Sequence, residues 1–578
     1  MEVALEVMYK LTEFEKNKSM KGRRIFNNAQ IIDVINKTIY LGWFSIVEGC
    51  FEFVEQGTLP KKISGDVVDV DKKYAVPGLI DAHMHIESSQ ATPRSFAEAV
   101  IPWGTCAVLQ DPHEMANVFG VDGVVFMIEN ARTQPLRIYT AIPSCVPPTR
   151  KGLETTNASI SAHDIEYLST LEGVIALGEV MDYNGVLEGN EDLLAIMAAA
   201  RGAGLSLEGH CPTLRDLNLS KYVSYGIRSD HTMTNPEKIL EQLRKGFYVM
   251  IQAKSITEEN ISFIMKMKDR SRLLLVTDDV PAINLLKGHL NRIVALTISA
   301  GWESVDAIAS ATIRPAEYLG IRDMGSISPG KTASFFIAED LESLKPDSVF
   351  IKGKPFSLGM LGRTEKKKKF LNSLHIRNLT ESDFCMVSDK ASVRLKANVI
   401  NVNRENSITE LIQEEVEFMD GFPIIDNSDL VQIAVFCRNS KEPTGSIGFL
   451  KGLGLRQGAF ATSFAHDTHN LLILGKESKS MTSAANAVIK AGGGMAVADR
   501  FSVSILKLPI GGLITDSSIE KVAAEQRDMV ERLKTFGLNH RNPLILLTVL
   551  ALSVSPYYKI SDFGLVDTEN SKIIPVFP

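Results

Sequence analysis

The sequence predicts an α/β protein: a (β/α)8 TIM-like barrel inserted in a small β-sandwich domain, followed by a C-terminal α/β domain. Three observations predict it. Eight short apolar runs with polar ends recur at the spacing of a βα unit inside residues 77–320. β-rich text of one style flanks that stretch on both sides. After a run of lysines, residues 371–578 begin a new alternation of strands and helices.

Taken in order, residues Gln30 to Val76 carry β-branched and aromatic runs such as IIDVINKTIYLGWFSIVEGCFEFVEQG, read as antiparallel strands with turns. The same chemistry returns in GSISPGKTASFFIAEDL and DSVFIKGKPF. Residues 1–76 and 321–364 are therefore expected to build one β-sandwich interrupted by the barrel. Inside the barrel the runs are VPGLIDAHMH, CAVLQDPH, IYTAIPSC, VIALGEVM, LSLEGH, IRSDH, YVMIQAKS and LLLVTDD. Their polar ends fall near positions 83, 111, 144, 179, 209, 230, 252 and 278. The mean step is about 28 residues, close to one βα unit. Each strand carries its polar residues at its C-terminal end, the face on which such barrels do chemistry. Glu365-Lys366-Lys367-Lys368-Lys369 reads as a solvated linker. Beyond it come strands such as LVQIAVF and NLLILG, a glycine-rich segment at Gly492–Gly494 and an apolar helix at 543–554.

Composition narrows the function classes. With 578 residues, 45% hydrophobic and 23% charged, the chain can bury a large core without disulfides or structural metal. Net charge is −7 and no basic stretch is long, so a nucleic-acid footprint is absent. Six scattered cysteines form no CxxC pair. The longest apolar run, Pro543 to Val554, is too short to span a bilayer. A cytoplasmic protein that needs neither membrane nor nucleic acid is expected, and self-association into a homo-oligomer with it.

Histidines gather at the strand ends. His83 and His85 are two apart on the first strand, so both imidazoles point to one side. His210 ends the fifth strand and His231 the sixth, Glu179 ends the fourth and Asp278 the eighth. A lone barrel histidine is more often a hydrogen-bonded structural residue. Four at one rim with two carboxylates point instead to metal. Six ligands suit two ions, and a shared carboxylate would hold them about 3.5–4 Å apart.

PGLIDAHMHIES resembles the first-strand signature of the amidohydrolase superfamily, and the longer text resembles the adenine deaminase family. The matching stretches include GTCAVLQDPHEMANVFG, PSCVPPT, ALGEVMDYNGV, LEGHCP, GIRSDH, TDD and KGHL, then TGSIGFLKGLGL, AFATSFAHDTHN, IKAGGGMAVAD and LPIGGLITD. The resemblance implies two divalent ions, manganese or iron, with zinc also compatible. His83, His85 and Asp278 would hold one, His210 and His231 the other, and Glu179 would bridge. It implies hydrolytic deamination of adenine to hypoxanthine and ammonia, with metal-activated hydroxide attacking C6. Asp278 would relay the proton to the leaving amine. Glu114 is the candidate acid for the ring nitrogen N1, with His113 and Asp111 orienting the base or stabilising the intermediate. Asp111 also reads as a loop cap or partner of a metal-binding histidine. Ser144 and Cys145 read as pocket lining. His466-Asp467-Thr468-His469-Asn470 reads as a hydrogen-bonded loop reaching over the barrel mouth, with a part in the active site as the lesser alternative.

Four stretches depart from the family pattern. Thr232 stands where the family has glutamate. Gln252-Ala253-Lys254-Ser255 replaces an Arg-Glu-Gly-Ser-like turn, Val280-Pro281 follows the two aspartates in place of an arginine, and Cys437-Arg438-Asn439-Ser440 also differs. These changes spare the ligands and alter the mouth, where substrate identity is decided. Thr232 and Lys254 are expected to line the substrate pocket beside Asp111 and Ser144. The alternatives are an amidohydrolase for another aminated heterocycle or cyclic amide, and a metal-containing binding paralogue with weak turnover. A cytidine-type zinc deaminase is excluded, because His85-Ile86-Glu87 has no PCxxC after it. Gly452-Leu453-Gly454 followed by Gly458 misses the dinucleotide fingerprint by one residue.

Overall fold

A computed structural model describes residues 22–148, 152–386, 392–403, 408–426, 428–555 and 557–578. The N-terminal strands Arg24–Asp33, Thr38–Val47, Cys50–Gln56, Asp66–Asp69 and Tyr74–Pro77 join Phe335–Ala338, Pro346–Ile351 and Lys354–Pro355 in one eight-stranded sheet. The sheet curls on itself. The Phe51 N–H donates to the Lys331 carbonyl at 2.9 Å, and the rings of Phe51 and Phe335 lie 5.8 Å apart. Phe26, Phe44, Phe335 and Phe350 fill the space between, with centroids 4.7–5.1 Å apart. The two layers of the sandwich are thus one bent sheet whose aromatic side chains pack both stacked and edge to face, arrangements worth about 0.5–1.5 kcal/mol per pair beyond burial.

The barrel follows. Its strands are Leu79–His85, Thr105–Gln110, Arg137–Ile142, Val174–Val180, Ser206–Gly209, Ser229–Asp230, Tyr248–Ile251 and Leu273–Leu275. The first five pair in parallel, as do the last three. A parallel bridge from Leu207 to Ile227 joins the two groups. Asp278–Asp279 pairs with Met84 and His85 and closes the ring. These ends lie within three residues of the positions read from the sequence. The first two strands are buried along their whole length, which is why they read as unbroken apolar runs. Capped helices return the chain to the next strand; Asn235 accepts from the Lys238 N–H, with Pro236 in the first helical turn.

The lysine run lies along the barrel surface. Lys367 meets Glu129 at 2.5 Å, Lys369 meets Asp122 at 2.8 Å and Lys366 meets Asp516 at 2.6 Å. It is a strap as well as a linker. The C-terminal sheet has nine strands, from Phe422–Pro423 at one edge to Val503–Lys507 at the other. Helix Ser478–Lys490 lays Met481, Ala484, Ala485 and Val488 on Ala459, Ala461, Ala496 and Ala498, whose small side chains let it approach closely. The Gly492–Gly494 segment serves packing: a Cβ on Gly493 would meet the Gly512 Cα at 2.2 Å. Elsewhere the domain shares one continuous core with the barrel; Phe464, Met495 and Leu472 belong to the same cluster as Ile86, Met115 and Leu285. The apolar helix expected at 543–554 is α-helical over Pro543–Thr548 and tightens to 3₁₀ over Val549–Ala551. Among the described residues, no helix is long and apolar enough to cross a membrane.

Candidate active site

Parallel strands ending at one rim bring six distant side chains together. Glu179 is the centre: its Oε2 lies 2.6 Å from His210 Nδ1 and 3.1 Å from His231 Nε2, and its Oε1 lies 3.5 Å from His85 Nε2. Asp278 Oδ1 lies 3.3 Å from His85 Nε2 and 3.6 Å from His83 Nε2. The rings of His83 and His231 stack at 3.8 Å. Asp278 sits at φ 59°, a left-handed backbone that aspartate tolerates better than most residues.

The donor chemistry fits divalent cations. His85 Nδ1 lies 3.0 Å from the Asp111 carbonyl, which orients the ring with Nε2 toward Glu179 and Asp278. His83 Nε2 is buried with no hydrogen-bond partner. Burial, with His231 beside it, pushes the His83 imidazole down to about 4, the neutral form that a metal ligand requires. Burial alone would raise the Glu179 carboxyl, yet His231 and His210 hold it well below the usual carboxylate range. Asp278 behaves likewise beside His231, His83 and His85.

The site opens into a cavity of about 780 Å³. One wall is barrel: His113, Thr232, Gln252, Lys254 and Asp279. The facing wall is C-terminal domain, including Phe464, His466, Asp467, Met495, Gln526 and the apolar stretch Leu544, Ile545, Val549 and Leu552.

Residues 74–356 match the Amidohydrolase family model, and residues 406–572 match the Adenine deaminase C-terminal domain. A curated adenine deaminase of Clostridium perfringens is 34% identical over 96% of this chain and 100% of its own length. Adenine deaminases of Staphylothermus marinus and Methanothermobacter thermautotrophicus are each 35% identical, over 96% and 94% of this chain and 92% and 98% of their own. The chain belongs to the adenine deaminase family. Within that family its barrel and C-terminal domain share one cavity, and several side chains sit differently from their sequence reading.

Three of the expected substrate and acid positions lie off the cavity wall. Glu114 is not at the end of a strand but in the first turn of helix His113–Phe119, fully buried and not on the cavity wall. One of its oxygens lies 2.7 Å from His466 Nδ1 and the other contacts His469 Nε2. Burial would raise its carboxyl, but His466, His469 and His113 hold it well below the usual range. Its oxygens face His466 and His469 rather than the cavity. Asp111 also lies off the cavity wall; its Oδ2 accepts the Glu179 N–H at 3.0 Å and its carbonyl faces His85, so it braces both side chains. Ser144 Oγ donates to the Glu179 carbonyl at 2.7 Å and, like Cys145, lies outside the cavity.

The other expected residues do reach the wall. His113 Nδ1 lies 3.8 Å from Glu179 Oε1, and its Nε2 lies 3.6 Å from Glu114. Thr232 borders the cavity, although its hydroxyl is engaged with Asp230 at 2.9 Å and Lys238 at 2.5 Å. Lys254 is half exposed, with Nζ 3.9 Å from Asp278 Oδ2. Sequence reasoning assigned no role to Gln252, whose amide donates to Asp278 Oδ2 at 2.5 Å and to the His231 carbonyl at 2.8 Å. It also underweighted the AHDTHN loop, which crosses 355 residues of sequence to meet Glu114. The position of Gln252 directly after an apolar strand was a usable signal; the loop offered none but its pair of histidines.

Proposed function

We propose that this protein hydrolyses the exocyclic C6–N bond of adenine, giving hypoxanthine and ammonia. The observation that carries the reading is the Glu179 carboxylate standing between His210 and His231 on one side and His85 on the other, at the floor of a cavity shared with a domain of the adenine deaminase type. In this reading His83, His85 and Asp278 hold one cation, His210 and His231 a second, and Glu179 bridges. Manganese or iron, the ions the resemblance implies, fit these mixed imidazole and carboxylate donors, and zinc fits them too. When bound, the cations supply Lewis-acid charge that makes water nucleophilic near neutral pH.

The remaining work belongs to the chain. Asp278, ionised and steered by the Gln252 amide, takes the proton of the attacking water and returns it to the departing amine. His113 sets the orientation of Glu179 from the cavity side, and Asp111 and Ser144 do so from behind. The flat purine lies against the apolar wall of Leu544, Ile545 and Val549. Six free cysteines accord with a reducing cytoplasmic setting.

One observation favours a second reading, an aminated heterocycle or cyclic amide larger than adenine. A cavity of about 780 Å³ lies in the upper part of the roughly 300–1,000 Å³ that holds drug-sized ligands. The deciding assay reconstitutes the protein with manganese, iron or zinc and follows ammonia release from adenine beside a panel of substituted purines and cyclic amides. Adenine turnover at about 1 s⁻¹ or faster supports the main reading. Faster turnover of a bulkier substrate with adenine inert overturns it.

A further inference from the structure

Nucleophilic attack at C6 pushes an electron pair onto the neighbouring ring nitrogen, so the reaction needs a proton donor on the side of the cavity that faces the ring. Asp278 is committed to the water and the amine, and Glu114 is walled off and ionised. The loop that seals Glu114 in offers another group. His466 borders the cavity, comes from the C-terminal domain, and has Nδ1 2.7 Å from Glu114 Oε1, an ion-pair contact. With Nδ1 facing that carboxylate, Nε2 is the nitrogen left for the cavity. His469 contacts the second oxygen of the same carboxylate from the other side and has no exposure, so Glu114 cannot swing away. The edge of Phe464, 5.0 Å away at 82°, packs against the His466 ring.

We propose that His466, seated by Glu114, is the catalytic acid that protonates the substrate ring nitrogen, and that Glu114 is its positioning residue. The proposal rests on the adenine reading and deepens it. The arrangement follows a general logic: a buried carboxylate on one imidazole nitrogen fixes tautomer and orientation and stabilises the protonated ring. The charged groups facing His466 are Glu114 from the barrel helix, Asp467 and His469 from its own loop, and Asp279 from the eighth-strand end. Burial works against the imidazolium, and Glu114 and Asp467 outweigh it, so the ring is protonated at neutral pH. His469 is held in the neutral form by burial, so the two imidazoles on Glu114 divide the labour, one charged and one not. The two rings take different oxygens of one carboxylate.

The protons balance. The Nε2–H bond of His466 breaks and an N–H bond forms at N1, as water oxygen bonds to C6 and one water proton passes to Asp278. That proton then goes to the amine, the C6–N bond breaks and ammonia leaves. The second water proton, released as the C6 hydroxyl becomes the 6-oxo group, restores the imidazolium. The proton given by His466 stays on N1 of hypoxanthine.

The test compares H466Q, H466N and E114Q with the wild type, each reconstituted with manganese. Bound metal is counted and kcat and KM for adenine are followed across pH. H466N places an amide near the old Nδ1 and keeps a donor toward Glu114, which covers the case where glutamine disturbs packing. The expected result is an unchanged metal count, KM within a few-fold and kcat lowered about 10²- to 10³-fold in both His466 variants. The alkaline limb of the wild-type kcat profile disappears in them, and E114Q moves that limb to lower pH. A kcat within threefold of wild type in a folded His466 variant overturns the proposal. So does a third equivalent of metal in the wild type that the variants lack, which would make the cluster an ion site. A wild type that binds two metals and releases no ammonia from adenine overturns the adenine reading and this proposal with it.

Discussion

Two buried carboxylates, Glu179 with four imidazoles around it and Glu114 with three, differ in a way that shows how one residue vocabulary serves two chemistries. Around Glu179 stand His210 at 2.6 Å, His231 at 3.1 Å and His85 at 3.5 Å, with a second carboxylate, Asp278, 3.3 Å from His85. Around Glu114 stand His466 at 2.7 Å, His469 in contact and His113 at 3.6 Å, with Asp467 3.6 Å from His466 Nδ1. The first set offers converging lone pairs: His85 has its other nitrogen on a carbonyl, and His83 has a buried nitrogen with nothing on it. That arrangement suits cations. In the second set His466 and His469 flank a carboxylate that lies off the cavity wall, which suits protons. His113 stands between the two clusters and touches both carboxylates.

The comparison breaks most visibly at the carboxylates. E179Q keeps the shape and removes the charge that both halves of the cluster share. Metal content is expected to fall below two equivalents per chain, and kcat/KM to fall well beyond the roughly 100-fold that an outer partner of a metal ligand is worth. E114Q is expected to retain both metals and to lose only about 10- to 100-fold in kcat. Metal analysis beside steady-state kinetics checks both. If E114Q sheds metal as readily as E179Q, the two clusters are one chemical unit and the distinction drawn here is wrong.

The first cluster was legible in the sequence and the second was not, for a physical reason. Every member of the Glu179 set closes a strand of a repeating βα unit, so period, polarity and barrel geometry place it on one rim. His83 and His85 at i and i+2, Glu179, His210, His231 and Asp278 could all be named before any coordinates. The Glu114 set is assembled across two domains. Nothing local in DPHE or AHDTHN says that they meet; that follows from the shared core of Phe464 and Met495 with Met115. The same limit applies to Asp111 and Ser144, which lie off the cavity wall. Their position at strand ends is right to within a residue or two, but whether such a side chain turns toward the cavity or back toward Glu179 depends on neighbours distant in sequence. The barrel itself read well because fully buried parallel strands leave unbroken apolar runs. The bent N-terminal sheet read as two layers because ladder continuity leaves no trace in the pattern.

A smaller effect sharpens the contrast from the stability side. H469N shortens the side chain that contacts Glu114 and leaves a buried carboxylate oxygen without that partner. The expected loss is about 1–3 kcal/mol in unfolding free energy, read as a lower denaturant midpoint at unchanged m. Both metals should remain, and kcat should stay within a few-fold, because His466 still holds the other oxygen. A full-strength midpoint in H469N would mean that His469 does not clamp the acid.

His289 gives the smallest effect and the cleanest sign. It is buried behind the first strand with Nδ1 2.9 Å from Thr105 Oγ1 and Nε2 3.4 Å from Thr277 Oγ1, and burial pushes it down to about 3. In the folded chain it therefore stays neutral where the unfolded chain, with an ordinary value near 6.5, takes up a proton. The unfolded state binds more protons, so this residue lowers stability as pH falls below about 6.5, and the loss continues until the pH reaches the folded value near 3. Relative to H289Q, wild type should lose about 1 kcal/mol between pH 8 and pH 6, measured as the difference of two urea titrations. His466 runs the other way: its folded value is raised, so its contribution is complete below the unfolded value and disappears as pH climbs through the folded one. Two buried histidines in one chain should thus tilt the pH–stability curve in opposite directions, the one because it faces hydroxyls and the other because it faces Glu114. Parallel curves for wild type and H289Q would show that His289 is protonated in the folded state after all, with Asp81, 3.6 Å away, as its counter-charge.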